Sequence, residues 1–170
     1  SRGPLVITGM RGCGKTMLLR ALQFHARAIP INEQEKDIEL TARLQREGYL
    51  GLYVSCTRLL DSHGLLDEPI HQPFPRLFLA YAIEAISAIK HLRELNRECV
   101  RHDSFTSIAN VVAQYVEGTE EIKKITTEHE VEVFLKKALN SLSKGESKHL
   151  ITANPAVSFP VLAQAIRECS

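Results

Sequence analysis

Residues 9–16 read Gly9-Met10-Arg11-Gly12-Cys13-Gly14-Lys15-Thr16, the G-x-x-x-x-G-K-T spacing of a phosphate-binding P-loop. Each residue type has a task. Gly9, Gly12 and Gly14 let the backbone curl tightly with its N–H groups turned inward. Those N–H groups, with the positive end of a following helix, hold phosphate oxygens. Lys15 is a point charge for the β- and γ-phosphates, and the Thr16 hydroxyl is a ligand for Mg²⁺. The binding set is therefore Gly9, Arg11, Gly12, Cys13, Gly14, Lys15, Thr16 and Met17, with Lys15 the catalytic candidate and Thr16 the metal ligand.

Such a loop joins a strand to a helix. Leu5-Val6-Ile7-Thr8 before it is a short apolar run suited to a buried strand. Thr16 to Leu22 after it is helix-forming, and that helix is expected to run to about Ala28 and stop at Pro30. Tyr49 to Cys56 reads as a second strand, apolar on both faces, and Leu150 to Ala153 as a short third one. The remaining segments are helical in pattern. Residues 32–47 are strongly charged and read as a solvated surface helix ending at Gly48. A loop with Pro69, Pro73 and Pro75 leads to a helix from about Arg76 to Glu98, apolar nearly all round its first half.

Asp103-Ser104 opens another helix, with Phe105, Ile108, Val111, Val112 and Tyr115 on one side. Thr127-Glu128-His129-Glu130 is a capping box, and the helix it starts turns Val131, Phe134, Leu135, Ala138 and Leu142 inward. A last helix starts at Ser158-Phe159, with Pro160 in its first turn. The expected fold class is α/β, a P-loop NTPase-type parallel sheet covered by helices and incomplete in this chain. Residues 1–170 are read as the N-terminal part of one nucleotide-binding domain, with helical excursions at about 32–47 and 76–145.

With 170 residues, 44% of them apolar and 24% charged, the chain has ordinary globular composition for one domain. A net charge of +1 supplies no long-range field towards nucleic acid or an anionic membrane, which leaves a local nucleic-acid patch open. No apolar run is long enough to span a bilayer. Cys13, Cys56, Cys99 and Cys169 are far apart and form no C-x-x-C pair, which fits a reducing, cytoplasmic setting. His63 and His71 flank the proline-rich loop and read as solvated side chains rather than metal ligands.

Hydrolysis needs more than a cradle: a carboxylate at the end of a second core strand must hold Mg²⁺. Asp61 is the nearest approach, but only Leu59-Leu60 precede it and Arg58 interrupts the apolar run. The chain is therefore read as a piece of a longer protein that hydrolyses ATP negligibly alone. An apolar strand ending in Asp is expected within about 10–20 residues beyond Ser170. No N-K-x-D or T-K-x-D sequence for guanine occurs, which points to adenine by elimination. Arg2, Arg11, Arg76, Arg93 and Arg101 are all candidate arginine fingers; sequence does not choose among them, and most belong on the surface.

The run from Gly9 to Arg20 resembles the P-loop of initiator-type (origin-recognition-like) AAA+ ATPases and the related STAND ATPases, which read G-x-R-G-x-G-K-T and then a leucine pair. Leu52-Tyr53-Val54-Ser55-Cys56 resembles their second strand, with Ser55 where Asn is usual. The resemblance covers residues 3–28 and 49–57. It implies that Gly9, Gly14, Lys15 and Thr16 hold phosphate and Mg²⁺, and it makes Asn154, after Leu150-Ile151-Thr152-Ala153, a candidate polar sensor. It further implies ATP or ADP as ligand, a homo-oligomer or multiprotein assembly, and a switch acting on DNA or in defence and signalling. The residues themselves leave two alternatives. One is a small-molecule or nucleotide kinase, with Arg58 and Asp61 as its acceptor pair but no Arg-rich lid; the other is a degenerate platform holding nucleotide as a structural ligand.

Overall fold

Where a glycine adopts the left-handed conformation, a helix of this chain starts or stops. The computed structural model describes residues 14–55, 73–101, 103–115, 127–143 and 155–169. They divide into two compact units, residues 1–53 and 54–170. In the first, α1 (Lys15–Ala21) follows Gly14 at φ 84°, ψ 8°. A break at Leu22-Gln23 separates it from α2 (Phe24–Arg27), so the single helix expected up to Ala28 is two short ones. α3 (Asp37–Glu47) has Asp37 and Glu39 in its first turn and Arg46 in its last, as the helix dipole favours, and ends on Gly48 at φ 67°.

Polar contacts hold this unit together. The Arg43 guanidinium on α3 donates from Nε to Glu35 Oε1 (2.9 Å) and from Nη2 to the carbonyls of Arg27 (3.1 Å) and Ile29 (3.0 Å). It thereby caps the carbonyl end of α2 and fixes the loop that follows. Arg27 donates to Glu47 Oε2 (2.6 Å) and lies over the Tyr49 ring, 5.4 Å from its centroid. The segment expected to be a solvated excursion is thus tied in by a shared ion network, and only its residues 37–47 are helical.

The second unit is a set of helices packed through apolar faces. α4 (Pro73–Leu95) is its longest element and touches all the others: a 3₁₀ turn (Arg97–Cys99), α5 (Ser104–Ala113), α6 (Glu128–Ser143) and α7 (Pro155–Arg167). Phe78, Leu79, Ala82, Ala85, Ile86, Ala88 and Ile89 of α4 are buried. Opposite them lie Ile108 and Val112 of α5, Val131, Leu135 and Ala138 of α6, and Leu162 of α7, also buried. The Phe78 ring meets Tyr115 and Phe159 edge-on at 5.6 Å each.

The capping box forms as read: Thr127 N–H donates to Glu130 Oε2 (3.0 Å) and Glu130 N–H to Thr127 Oγ1 (3.3 Å). α7 starts at Pro155, where a missing N–H costs nothing, so Pro160 lies inside the helix rather than in its first turn and leaves the Ala156 carbonyl without its i+4 donor. At the other end, the Cys169 carbonyl accepts from Arg101 N–H (3.0 Å) and Ser104 Oγ (3.3 Å), latching the end of α7 to the start of α5.

The expected α/β fold, a parallel sheet under helices, is overturned: the described residues are mostly helical and contain no strand. Of the three expected strands, residues 5–8 and 150–153 lie outside the described residues. Residues 51–55 are described and form neither strand nor helix. The reason is local. The Gly51 carbonyl accepts from Phe24 N–H (2.7 Å), so this backbone closes on the α1–α2 junction instead of joining a ladder. A Cβ at position 51 would collide with the Leu22 carbonyl. Gly51→Ala is therefore expected to destabilise the chain by about 1–3 kcal/mol in chemical denaturation.

Glu35 supplies a pH test. Hydrogen bonds from Arg43, and then from Ile31 N–H (2.7 Å), hold its carboxyl below the ordinary value of 4.5. A carboxylate depressed by folding adds stability above its unfolded value and loses it as pH falls through the folded value. Wild type should therefore melt above Glu35→Gln at pH 7, and the gap should shrink as pH falls below 4.5. Parallel thermal melts from pH 7 to 3 measure it.

Candidate functional site

Four residues of the expected phosphate site are described, and they are contiguous. Gly14 is the N-cap of α1, Lys15 and Thr16 open its first turn, and Met17 follows. Gly9, Arg11, Gly12 and Cys13 lie outside the described residues. The left-handed Gly14 lets the chain turn into the helix there, and its carbonyl accepts from Leu18 N–H (2.9 Å) as the first helical bond. The three N–H groups before Leu18 have no carbonyl within the helix to bond. No side chain caps this end and no acidic residue sits in the first turn, so its local charge is that of the helix dipole and Lys15. Gly14, Thr16 and Met17 are exposed and Lys15 is half-buried.

A backbone end of this kind fits an anion. Its N–H groups lie at the positive end of the helix dipole, its first turn carries Lys15 and no acid, and the exposed Thr16 follows Lys15. Among the described residues, no group of three or more His, Cys, Asp or Glu side chains is placed to hold a metal. Asp61, His63, His71 and Asn154 lie outside the described residues, as do Arg2 and Arg58.

The remaining arginines differ sharply from one another. Arg76, one of the five candidates, is 1% exposed within the second unit. Arg93 pairs with Glu128 and lies over the Phe105 ring, 5.6 Å from its centroid, joining α4, α5 and α6. Arg101 is exposed and pairs with Asp103 at 3.2 Å. Arg93 thus has a structural task within its own unit. Two residues near the loop escaped the sequence reading. Arg20, in the last turn of α1, lies over the Tyr53 ring at 5.8 Å, and Gly51 closes on the α1–α2 junction. A glycine in the middle of an apolar run was the available signal for the second.

The family model described as ORC-CDC6-like matches residues 1–167. The chain belongs to this family. The match runs through both units and includes the whole Gly9–Thr16 motif. An origin-recognition-like relation is thereby shown for the chain as a whole, beyond the two short segments that resembled it. No curated protein and no solved structure matches it. Among the described residues, no helix of this ORC-CDC6-like chain is long and apolar enough to cross a membrane.

The Gly14 conformation gives the site its own test. Nothing lies within 4 Å of a Cβ built at this position, so the cost of Gly14→Ala comes from the backbone alone. It should be about 1–2 kcal/mol, the cost of a side chain in the left-handed region. Gly14→Asn should cost less, because Asn tolerates that region. Denaturation of the two variants side by side separates backbone strain from packing.

Proposed function

We propose that this chain is the ATP-binding part of an AAA+-type, initiator-like ATPase, holding nucleotide and Mg²⁺ at Gly9–Thr16. The observation that carries the reading is the union of a complete G-x-x-x-x-G-K-T motif with a left-handed Gly14 that starts a helix bearing Lys15 and Thr16 in its first turn. Membership of the ORC-CDC6-like family supports it. In this reading, backbone N–H groups from Gly9 to Thr16 cradle the phosphates, Lys15 contacts the outer ones, and the Thr16 hydroxyl ligates Mg²⁺. Bound Mg²⁺ neutralises phosphate charge. Arg11 and Cys13 belong to the same stretch, and Met17 follows it. The chain acts as a nucleotide switch within a homo-oligomer or larger assembly.

Calorimetry of Mg-ATP with wild type and Lys15→Ala tests it. Removing one charge-assisted phosphate contact should weaken binding about ten- to a hundred-fold. Equal affinities would reject the reading. Cys13 gives a second readout, since it lies inside the cradle beside Lys15, where a thiolate is favoured. Mg-ATP should slow its alkylation, measured by mass mapping of the modified peptide.

A further inference from the structure

The helix that opens with Lys15 and Thr16 is short and poorly buried. α1 has seven residues, none of them buried, and its apolar Met17, Leu18 and Leu19 are 71%, 49% and 44% exposed. A free helix of that length is marginal in water. Core packing therefore does not orient it. Its far end is tied to the rest of its unit. The Leu22 N–H donates to Leu18 O (3.1 Å) and the Gln23 N–H to Arg20 O (3.2 Å), closing the last turn. One residue on, Phe24 N–H reaches the Gly51 carbonyl. Two residues beyond Gly51, the half-buried Tyr53 ring lies against the Arg20 guanidinium.

We infer that Tyr53 is a positioning residue for the phosphate loop, acting through Arg20. The ring and the Gly51 carbonyl form two anchor points on one short segment: the ring meets Arg20 in the last turn of α1, and the carbonyl holds Phe24, which opens α2 just beyond it. Held there, α1 keeps Gly14, Lys15 and Thr16 ordered at its other end, five residues or about 7.5 Å along the axis from Arg20 to Lys15. The attraction is between a cation and a ring face, so the Tyr53 hydroxyl is dispensable and the aromatic ring is not. Arg20 also sits where a cation suits the negative end of the helix. This inference rests on the ATP reading for its effect on nucleotide, and on geometry alone for its effect on α1.

Two measurements on the full chain decide it. Tyr53→Leu and Arg20→Met should each weaken Mg-ATP binding about two- to five-fold, the range of an exposed cation–ring contact, whereas Tyr53→Phe should bind like wild type. The double variant Tyr53→Leu, Arg20→Met should bind no more weakly than either single one, because both remove the same contact. Without nucleotide, trypsin cleavage after Lys15 reports the opening of α1. It should speed by a similar factor in Tyr53→Leu and not in Tyr53→Phe. Loss in Tyr53→Phe equal to that in Tyr53→Leu, additive losses in the double variant, or unchanged cleavage in Tyr53→Leu would each overturn the tether. Equal Mg-ATP binding by wild type and Lys15→Ala overturns the ATP reading instead, and the cleavage comparison then still judges the tether.

Discussion

Burial along one helix organises most of this chain. Seven apolar side chains of α4, from Phe78 to Ile89, are removed from water, and every other described helix of the second unit packs on that surface. A fully buried Leu, Ile or Phe contributes about 1.5–3 kcal/mol. The three alanines among the seven contribute less area but let neighbouring helices approach closely. The Arg93–Glu128 pair and the Cys169 latch act at the margins of this surface and fix where helices begin and end. The first unit is built differently. Only Phe24, Ala28 and Leu40 are its buried apolar residues among those described, and the Arg43 fork takes over the work of fixing one element against the next.

That contrast explains what could be read from sequence. The helices of the second unit were legible because their apolar residues recur at helical spacing and because caps such as Thr127–Glu130 announce themselves. The burial of the first half of α4 followed from its all-round apolar surface. The burial of Arg76 had no such signal: arginines mostly lie outside, and no local pattern says when one goes in. Pro160 was misplaced by one turn because Pro155 offered an earlier start that the pattern left open.

The sheet was the larger error, and it had a single source. Apolar runs of four to eight residues were counted as strands because a P-loop usually lies between a strand and a helix. Such runs do not declare their partners, and a strand exists only when another accepts its ladder. Tyr49–Cys56 carries Gly51 at its middle, where the backbone turns its carbonyl to Phe24 instead. The Gly9–Thr16 motif is a pattern of glycine, lysine and threonine at fixed spacing, and it can be read without reference to a sheet. What escaped was the support around it, since Arg20–Tyr53 and Arg27–Glu47 link residues far apart in sequence.

A helix with no buried side chain, capped by glycine and carrying no acid in its first turn, is electrostatically unfinished. Its dipole and the Lys15 charge favour an anion at that end, and an anion there favours the helix in return. Binding and ordering are thus linked: a ligand that selects the ordered α1 stabilises it by mass action, and any contact that orders α1 beforehand raises affinity. In the proposed reading the triphosphate completes the helix it binds. ATP and ADP then differ in the charge they bring to the same donors, so the order of α1 follows the state of the nucleotide. In that reading the difference passes to residues 51–53, which Arg20 and Phe24 connect to the other end of α1.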